Sequence, residues 1–191
     1  MKPSIALLML LLAGCASHSP PARFYLLTAE VASPAAVTGD LFLGVGPVRL
    51  PDYLDRSQLV RRLDGGRLQV DEFHRWGGDL ARNIQEVLAT NLGRLLASPR
   101  VLAWPWSARL DLPHRLTLDI YRFEAGPGAQ VTLDVQWQWL QKGRLTRMGR
   151  ERIEVPVASD TPAAWVQAQS RALAELARRL APLFRAPGES P

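Results

Sequence analysis

The sequence predicts an α+β fold in which a single antiparallel or mixed sheet carries two long helices on one face, forming a two-layer sandwich. Two stretches have apolar residues at helical spacing, one near 79–97 and one at 162–184. Shorter stretches alternate apolar and polar residues and are separated by turns that contain glycine or proline. Packing both helices on the same sheet is the simplest way to bury the apolar stripe of each.

Short strands and an irregular segment are predicted at the start of the globular region. The first two strands are predicted at 24–28 and 41–48. Pro47 and Pro51 bracket the irregular segment, which is expected to contain one helical turn around 52–54. The chain should therefore leave the second strand in a loop.

A hairpin and the first long helix follow. Asp64-Gly65-Gly66 lies between strands predicted at 58–63 and 67–73, and glycine tolerates the positive φ angles of tight turns. The helix is predicted at 79–97, with Asp79 as its N-cap and Pro99 soon after its end. Its apolar stripe consists of Leu80, Ile84, Val87, Leu88, Leu92, Leu95 and Leu96.

The second half of the chain predicts an antiparallel meander. Turns at Gly126-Pro127-Gly128 and Lys142-Gly143 join three consecutive strands. Trp137 and Trp139 share one face of the middle strand with apolar residues, so both are expected in the core. The meander strands are predicted at 114–124, 131–139 and 144–155, after a short strand at 100–104.

The second long helix closes the globular region. Thr161 can cap it, and Pro162 suits the first helical position because proline has no N–H to leave unpaired. The element order of strands, helix, strands and helix is the basis of the α+β prediction. A single globular domain is expected over 24–185, with a disordered tail at 186–191.

The N-terminal stretch is typical of an export signal. Lys2 supplies a positive charge, and Ile5–Leu12 is apolar but far shorter than the roughly 20 residues that span a bilayer. The sequence Leu12-Ala13-Gly14-Cys15 then resembles a bacterial lipobox. The resemblance implies a signal peptide at 1–14 and acylation of Cys15, and the alternative is an ordinary secretory signal with a chance cysteine.

The residues after Cys15 form a short tether at 15–23. Ala16–Arg23 is eight residues long and reaches at most about 28 Å when extended, so the domain must sit close to its membrane. In lipoproteins of this type an aspartate after the cysteine usually implies retention at the inner membrane. Ala16 at that position implies the outer membrane, with the domain facing the periplasm.

Composition narrows the function classes. The full chain has a formal net charge of +5, which becomes +4 when Lys2 leaves with the signal peptide, a mild excess that could favour an anionic lipid surface. No nucleic-acid-binding module is recognised. Cys15 is the only cysteine, so no internal disulfide is available and the core alone must hold the fold.

No motif of catalysis, nucleotide binding or metal binding is found, so neither an enzyme nor a cofactor is predicted. His18, His74 and His114 are scattered along the chain, which argues against a three-ligand metal site. Asp52 and Asp55 could form a carboxylate pair, but a capped turn neutralised by Arg56 is the simpler interpretation.

Trp104 and Trp106 flank Pro105 in a loop-like stretch. An exposed aromatic pair at this place could contact lipid or a protein partner, because indole rings are amphipathic. The two tryptophans are therefore included among the candidate partner-binding residues.

Four stretches together resemble the PqiC-type (YmbA-like) lipoproteins, which are auxiliary components of ABC-type lipid transport systems. They are "RFYLL", "VGPVRLPDYLDRSQLVRR", "EFHRWGGDLARNIQEVLATNLGRLL" and "AAWVQAQSRALAELARRLA". The resemblance implies a non-catalytic lipoprotein that docks the periplasmic tunnel of an MCE-domain protein at the outer membrane and supports membrane integrity. The candidate interaction residues that it implies are Asp52, Tyr53, Leu54, Arg56, His74 and Trp76.

Two other functions are kept as alternatives. One is a stand-alone periplasmic lipoprotein that binds phospholipid in an apolar cavity. The other is a periplasmic hydrolase, which has no motif in its favour. A ring of identical copies would suit a cap on a tunnel, although no residue pattern requires it.

Overall fold

The computed structural model describes residues 20–184. The predicted signal peptide, Cys15, most of the tether and the predicted tail at 186–191 lie outside the described residues. In chain order the elements are β1 (Arg23–Tyr25), β2 (Leu43–Arg49), β3 (Gln58–Arg62), β4 (Leu68–Trp76), α1 (Leu80–Leu95), β5 (Val101–Ala103), β6 (His114–Gly126), β7 (Gln130–Gln141), β8 (Arg144–Pro156) and α2 (Pro162–Phe184).

The strands between residues 20 and 184 form one mixed sheet of eight strands, as the α+β prediction requires. β6, β7 and β8 are the predicted antiparallel meander. The other edge of β6 pairs in parallel with β2 along its first half and with β3 at Ala125. β4 continues antiparallel to β3, and β1 pairs in parallel with β4. The parallel pairings make the sheet mixed.

Both predicted helices form, and local signals set their first turns. The Asp79 carboxylate accepts a hydrogen bond from the Arg82 N–H at 2.6 Å, which satisfies an N–H at the start of α1. The Thr161 hydroxyl accepts one from the Ala164 N–H at 3.3 Å at the start of α2. No helix of the described range is long and apolar enough to cross a membrane.

The core lies between the helices and one face of the sheet. Trp137 and Trp139 are 7% and 6% exposed, which confirms their predicted place in the core. Gly149 of β8 lies opposite Trp137, and a Cβ there would be 2.6 Å from the indole ring, so glycine leaves the room that the ring occupies. The largest fully buried side chains include Phe123, Leu43, Ile84, Leu88, Leu92, Leu116, Leu133, Leu173 and Leu176.

The opposite face of the sheet is polar and carries ion pairs between neighbouring strands. Arg150 of β8 holds Asp134 of β7 through two hydrogen bonds of 2.8 and 2.9 Å, and Arg49 of β2 pairs with Asp119 of β6. Arg150 also lies over the Tyr121 ring, with 4.8 Å to its centroid. This alternation of an apolar inner face and a polar outer face is typical of a sheet covered on one side only.

Candidate functional site

The segment at 50–57 fills a gap beside β6. β2 pairs with β6 as far as Asp119, and β3 meets β6 again only at Ala125. Between these points β6 has an irregularity next to Tyr121, and the segment runs past it. The Leu54 N–H donates to the Pro51 carbonyl at 2.9 Å, which closes the single turn predicted around 52–54.

Two neighbouring residues of this segment point into the protein. Leu54 is 3% exposed and belongs to the core. The hydroxyl of Tyr53 lies 2.9 Å from Glu124 Oε2 and 3.2 Å from the Tyr121 carbonyl oxygen. Because the phenol has one proton, these two acceptors share it. Tyr53 and Leu54 therefore fasten the segment to the sheet.

The carboxylate of Glu124 is the centre of the contacts that hold this segment. It is fully buried and accepts hydrogen bonds from Arg62 Nε at 2.7 Å and Arg122 Nε at 3.0 Å. Its other oxygen accepts from the Tyr53 hydroxyl and from the Phe123 N–H, each at 2.9 Å. A buried carboxylate is stable only when it is paired and hydrogen-bonded in this way. We call Glu124, Arg62, Arg122 and Tyr53 the Glu124 cluster.

Glu124 is not recognisable as a buried residue from the sequence. An acidic residue near the end of a strand, two positions before a turn, normally faces water, and nothing in the pattern distinguishes Glu124 from such a residue. The groups that bind the Glu124 carboxylate come from the 50–57 segment, from β3 and from β6. Only the folded structure shows that they lie together.

The pKa of Tyr53 is raised to about 12 by burial and by the nearby Glu124 carboxylate. A raised pKa in the folded state means that the protonated phenol contributes stability in full below the unfolded-state pKa, which is about 10. That contribution is lost as the pH rises from about 10 through about 12.

Replacing Tyr53 by phenylalanine is expected to lower the free energy of unfolding by about 1–2 kcal/mol at pH 8, because Glu124 loses a donor. Between pH 10 and 12 the unfolding free energy of the wild type should fall as Tyr53 ionises, and that of the variant should fall less because it lacks this phenol. Urea unfolding of both proteins at pH 8, 10 and 11.5 measures this. Tyr121→Phe is the control, since the Tyr121 hydroxyl makes only a surface contact of 3.3 Å with Gln136. Equal stability differences at all three pH values would contradict the role assigned to Tyr53.

Asp52, Asp55 and Arg56 are exposed. The Arg56 guanidinium makes no ion pair with either aspartate or with any other residue of the described range, so the interpretation of a turn neutralised by Arg56 is wrong. These three exposed charges are thus held by no ion pair among the described residues.

His74 and Trp76 lie on β4, next to the end of the same segment. The Trp76 N–H donates to the Ser57 carbonyl at 2.6 Å, and the Trp76 side chain is only 6% exposed. Nδ1 of the half-buried His74 lies 2.9 Å from Asp71 Oδ2, but the contact is not aligned as a hydrogen bond. The His74 ring also packs against Tyr25, with centroids 5.8 Å apart. These contacts give His74 and Trp76 structural partners within the chain.

Trp104 and Trp106 follow β5 and contact each other edge to face, with ring centroids 5.1 Å apart. Trp104 is 41% exposed, whereas Trp106 is half-buried. A Cβ on Gly44 would lie 2.8 Å from the Trp106 ring, so the missing side chain of Gly44 lets that ring approach β2. The predicted exposed pair is therefore one exposed indole supported by a second one.

The predicted residues separate into three groups by exposure. Leu54 and Trp76 are buried, and the partly buried members are Tyr53, His74 and Trp106. Asp52, Arg56 and Trp104 are exposed. The Trp104 N–H donates to the Val45 carbonyl at 2.9 Å, so Trp104 lies beside the middle of β2, and the 50–57 segment follows the end of that strand. The exposed members thus follow two neighbouring strands of the sheet, Trp104 after β5 and Asp52 and Arg56 after β2.

The described residues contain no group of three or more His, Cys, Asp or Glu side chains that could hold a metal ion. A cleft of about 250 Å³ opens at the far end of β6, where Arg61 pairs with Asp160 and lies over the Trp165 ring. Sites for drug-sized ligands usually measure about 300–1,000 Å³, and a phospholipid is larger than such ligands. This cleft is below that range, whereas two more open clefts, one beside Arg100 and His114 and one beside Arg171 and Arg178, measure about 490 and 460 Å³.

Comparison with known proteins identifies the chain's relatives. A family model described as ABC-type transport auxiliary lipoprotein component matches residues 25–181. A solved structure of an uncharacterized protein aligns at 17% identity with a TM-score of 0.71, covering 87% of this chain and all of that one. A DUF330 protein from Xanthomonas campestris aligns at 17% identity and a TM-score of 0.67, covering 83% of this chain and 92% of that one.

A PelC dodecamer from Paraburkholderia phytofirmans aligns at 15% identity with a TM-score of 0.45, covering 82% of this chain and 96% of that one. A similarity at this level carries no argument about assembly of this chain. The uncharacterized protein and the Xanthomonas campestris protein have the same fold as this chain. At 17% identity, these two similarities show the fold alone. Among curated proteins no sequence matches significantly.

Proposed function

Because the chain belongs to the family of ABC-type transport auxiliary lipoproteins, we propose that it is an outer-membrane lipoprotein that docks a lipid transport complex. In this proposal it is a non-catalytic subunit that receives the periplasmic tunnel of an MCE-domain protein, as in PqiABC-like systems. The match to the family over residues 25–181 is the observation that carries the proposal. The proposed partner follows from the resemblance to PqiC-type lipoproteins.

The proposed anchor is Cys15. The lipobox-like sequence Leu12-Ala13-Gly14-Cys15 supports cleavage after residue 14 and attachment of acyl chains to Cys15. Two lipid signals already give stable membrane anchoring, and a triacylated cysteine exceeds this number. Ala16 supports the outer membrane as the destination, with the domain in the periplasm.

The proposed docking surface consists of Asp52, Arg56 and Trp104. Exposed indoles and unpaired charges are both found at protein interfaces, where tryptophan and arginine often supply much of the binding energy. The Glu124 cluster holds Tyr53 in place, so the neighbouring Asp52 and Arg56 are presented on a fixed loop. A fixed loop loses little conformational entropy on binding.

Photo-crosslinking tests the partner and the surface together. A photoreactive amino acid placed at position 52, 56 or 104 of the full chain is expected to capture an MCE-domain protein from intact envelopes. The control position is Glu86, which is exposed on α1. Yields at the three positions should exceed the yield at Glu86 at least tenfold, because crosslinking requires direct contact.

Each result has a distinct meaning. Equal capture at Glu86 would contradict the docking surface but not the partner. Recovery of no MCE-domain protein at any position, under conditions that retain other envelope complexes, would contradict the proposed function. If the purified chain then carried bound phospholipid, the stand-alone lipid-binding function would replace it.

A further inference from the structure

Three large apolar side chains are exposed where the tether joins the domain. Phe24 is 67% exposed, Leu26 is 59% exposed and Phe73 is 41% exposed. We call these three residues the edge patch. Single exposed apolar residues are common on proteins, but a group of large ones usually marks a contact surface.

The strand register brings the edge patch together. β1 pairs with β4 so that Arg23 lies opposite His74, which places Phe73 beside the point where β1 begins. Phe24 is the next residue of β1, and Leu26 follows two positions later. Leu26 lies against Gly77, 3.2 Å from where a Cβ would be. The edge patch therefore follows β1 and the adjoining part of β4, where the register of β4 with β3 shifts.

The exposure of Phe24 and Leu26 results from the alternation of side chains along this stretch. Leu27 is 3% exposed and Tyr25 is half-buried, whereas Phe24 and Leu26 alternate with them and face outward. β1 is also an edge strand that pairs only with β4 within the described range. The described domain thus leaves both the strand edge and its apolar side chains uncovered.

Cations border the edge patch. Arg23 is exposed and makes no ion pair with a described residue. Arg75 is held by Glu72, through a hydrogen bond of 3.0 Å from its Nε to the Glu72 carbonyl and a 3.9 Å contact with the carboxylate. Aromatic and aliphatic side chains bordered by arginine are typical of protein segments that sit at a lipid interface, since the rings enter the headgroup region and the cations meet phosphate.

We propose that the edge patch is a membrane-contact surface that seats the domain on the same phospholipid layer that holds the acyl chains of Cys15. This inference rests on the proposed lipid anchor. Only eight residues, Ala16–Arg23, separate Cys15 from the edge patch, so the tether keeps the patch within about 28 Å of the membrane. At such a high effective concentration, a weak interfacial affinity is enough to keep the patch in contact.

The β7–β8 turn lies far from the edge patch along the sheet and therefore provides a control position. The edge patch lies in the part of the sheet that meets β6 near Ala125, whereas β6 pairs with the end of β7 at His114. The eleven residue steps from His114 to Ala125 span roughly 36 Å in an extended strand. Leu145, which is 53% exposed just after this turn, therefore lies beyond the membrane contact that the edge patch makes.

Spin labels on single cysteines test the contact in the acylated full-length product. Because the sulfur of Cys15 is blocked by its thioether in the proposed protein, Phe24→Cys and Phe73→Cys each introduce one reactive thiol, and Leu145→Cys is the matched control. The variants are purified as lipoproteins and inserted into phosphatidylethanolamine–phosphatidylglycerol vesicles. Accessibility of each label to oxygen and to a water-soluble nickel chelate is measured, and intact mass establishes whether Cys15 is acylated.

The ratio of oxygen to nickel accessibility is expected to be at least threefold higher at positions 24 and 73 than at 145, because oxygen concentrates in lipid. A ratio at 24 and 73 equal to that at 145, in acylated protein, would overturn the membrane contact and leave the proposed anchor intact. Labels shielded from both reagents would show that a second copy or a partner covers the edge patch, which also overturns the inference. An unmodified Cys15 thiol would overturn the proposed anchor and this inference with it.

Discussion

The Cys15→Ser variant is expected to disappear from the outer-membrane fraction while its domain stays folded. Each buried CH₂ of an acyl chain contributes about 0.8 kcal/mol to membrane binding, so losing the chains lowers the outer-membrane fraction by roughly a hundredfold or more. The edge patch alone does not compensate, because without the acyl anchor it binds at bulk rather than local concentration. Fractionation of envelopes followed by quantitative immunoblotting measures the effect.

Folding of the variant is expected to be unchanged, because the apolar core of the described residues is built from Leu27–Phe184 and Cys15 precedes it in the chain. The midpoint of urea unfolding, measured on the purified variant and the wild-type chain, provides that control. If Cys15→Ser still fractionates with the outer membrane after high-salt washing, protein contacts rather than acyl chains hold it there, and the proposed anchor is wrong.

The Glu124→Ala variant is expected to lose about 3 kcal/mol of unfolding free energy, the lower end of the range for breaking a buried ion pair. The Arg62 and Arg122 side chains are 27% and 26% exposed, so water can reach part of each guanidinium but cannot replace the buried carboxylate. Tyr53 also loses its carboxylate partner. Urea unfolding at pH 7 gives the free energy.

Glu154→Ala is the matched control for Glu124→Ala. Glu154 also binds an arginine, Arg152, at 2.7 Å, but both side chains are largely exposed, and surface pairs contribute about 0–1 kcal/mol. Loss of the Glu124 cluster should also release the 50–57 segment, so crosslinking from position 52 should fall as stability falls. A stability loss for Glu124→Ala no larger than that for Glu154→Ala would contradict the structural role of the Glu124 cluster.

Local signals in the sequence predicted most of the secondary structure. Asp79 and Thr161 are N-caps that act within three residues of their partners, and Gly65 and Gly66 adopt the positive φ angles of 69° and 78° that their turn needs. The alternation around Trp137 predicted its inward face. These features depend on neighbours in the chain, and for that reason they can be read from a single sequence.

The strand ends and the parallel pairings were less predictable. The strand predicted at 24–28 is observed only at Arg23–Tyr25, because β4 offers partners to three residues. The strand predicted at 67–73 continues to Trp76, where β1 extends its pairing. Strand length depends on the hydrogen-bond partner, and the partner of an edge strand is distant in sequence.

The candidate site, too, was predictable from the sequence only in part. Asp52, Arg56 and Trp104 were predicted as partner-binding residues and are exposed in the structure, while their binding role stays a proposal. Leu54 and Trp76 came from the same stretches but pack into the core. A resemblance to a family identifies matching positions, but it does not distinguish a residue that binds a partner from one that supports the loop.

The sequence by itself determined the two capped helices, the meander with its turns and the position of Cys15 behind an apolar run. Only the tertiary structure decided that β2 and β3 share one edge of β6, that Glu124 is buried among two arginines and a tyrosine, and that Phe24, Leu26 and Phe73 meet at an uncovered edge. The physical reason is range: caps, turns and periodicity act over a few residues, whereas burial of a charge or exposure of an apolar group depends on segments that only folding brings together.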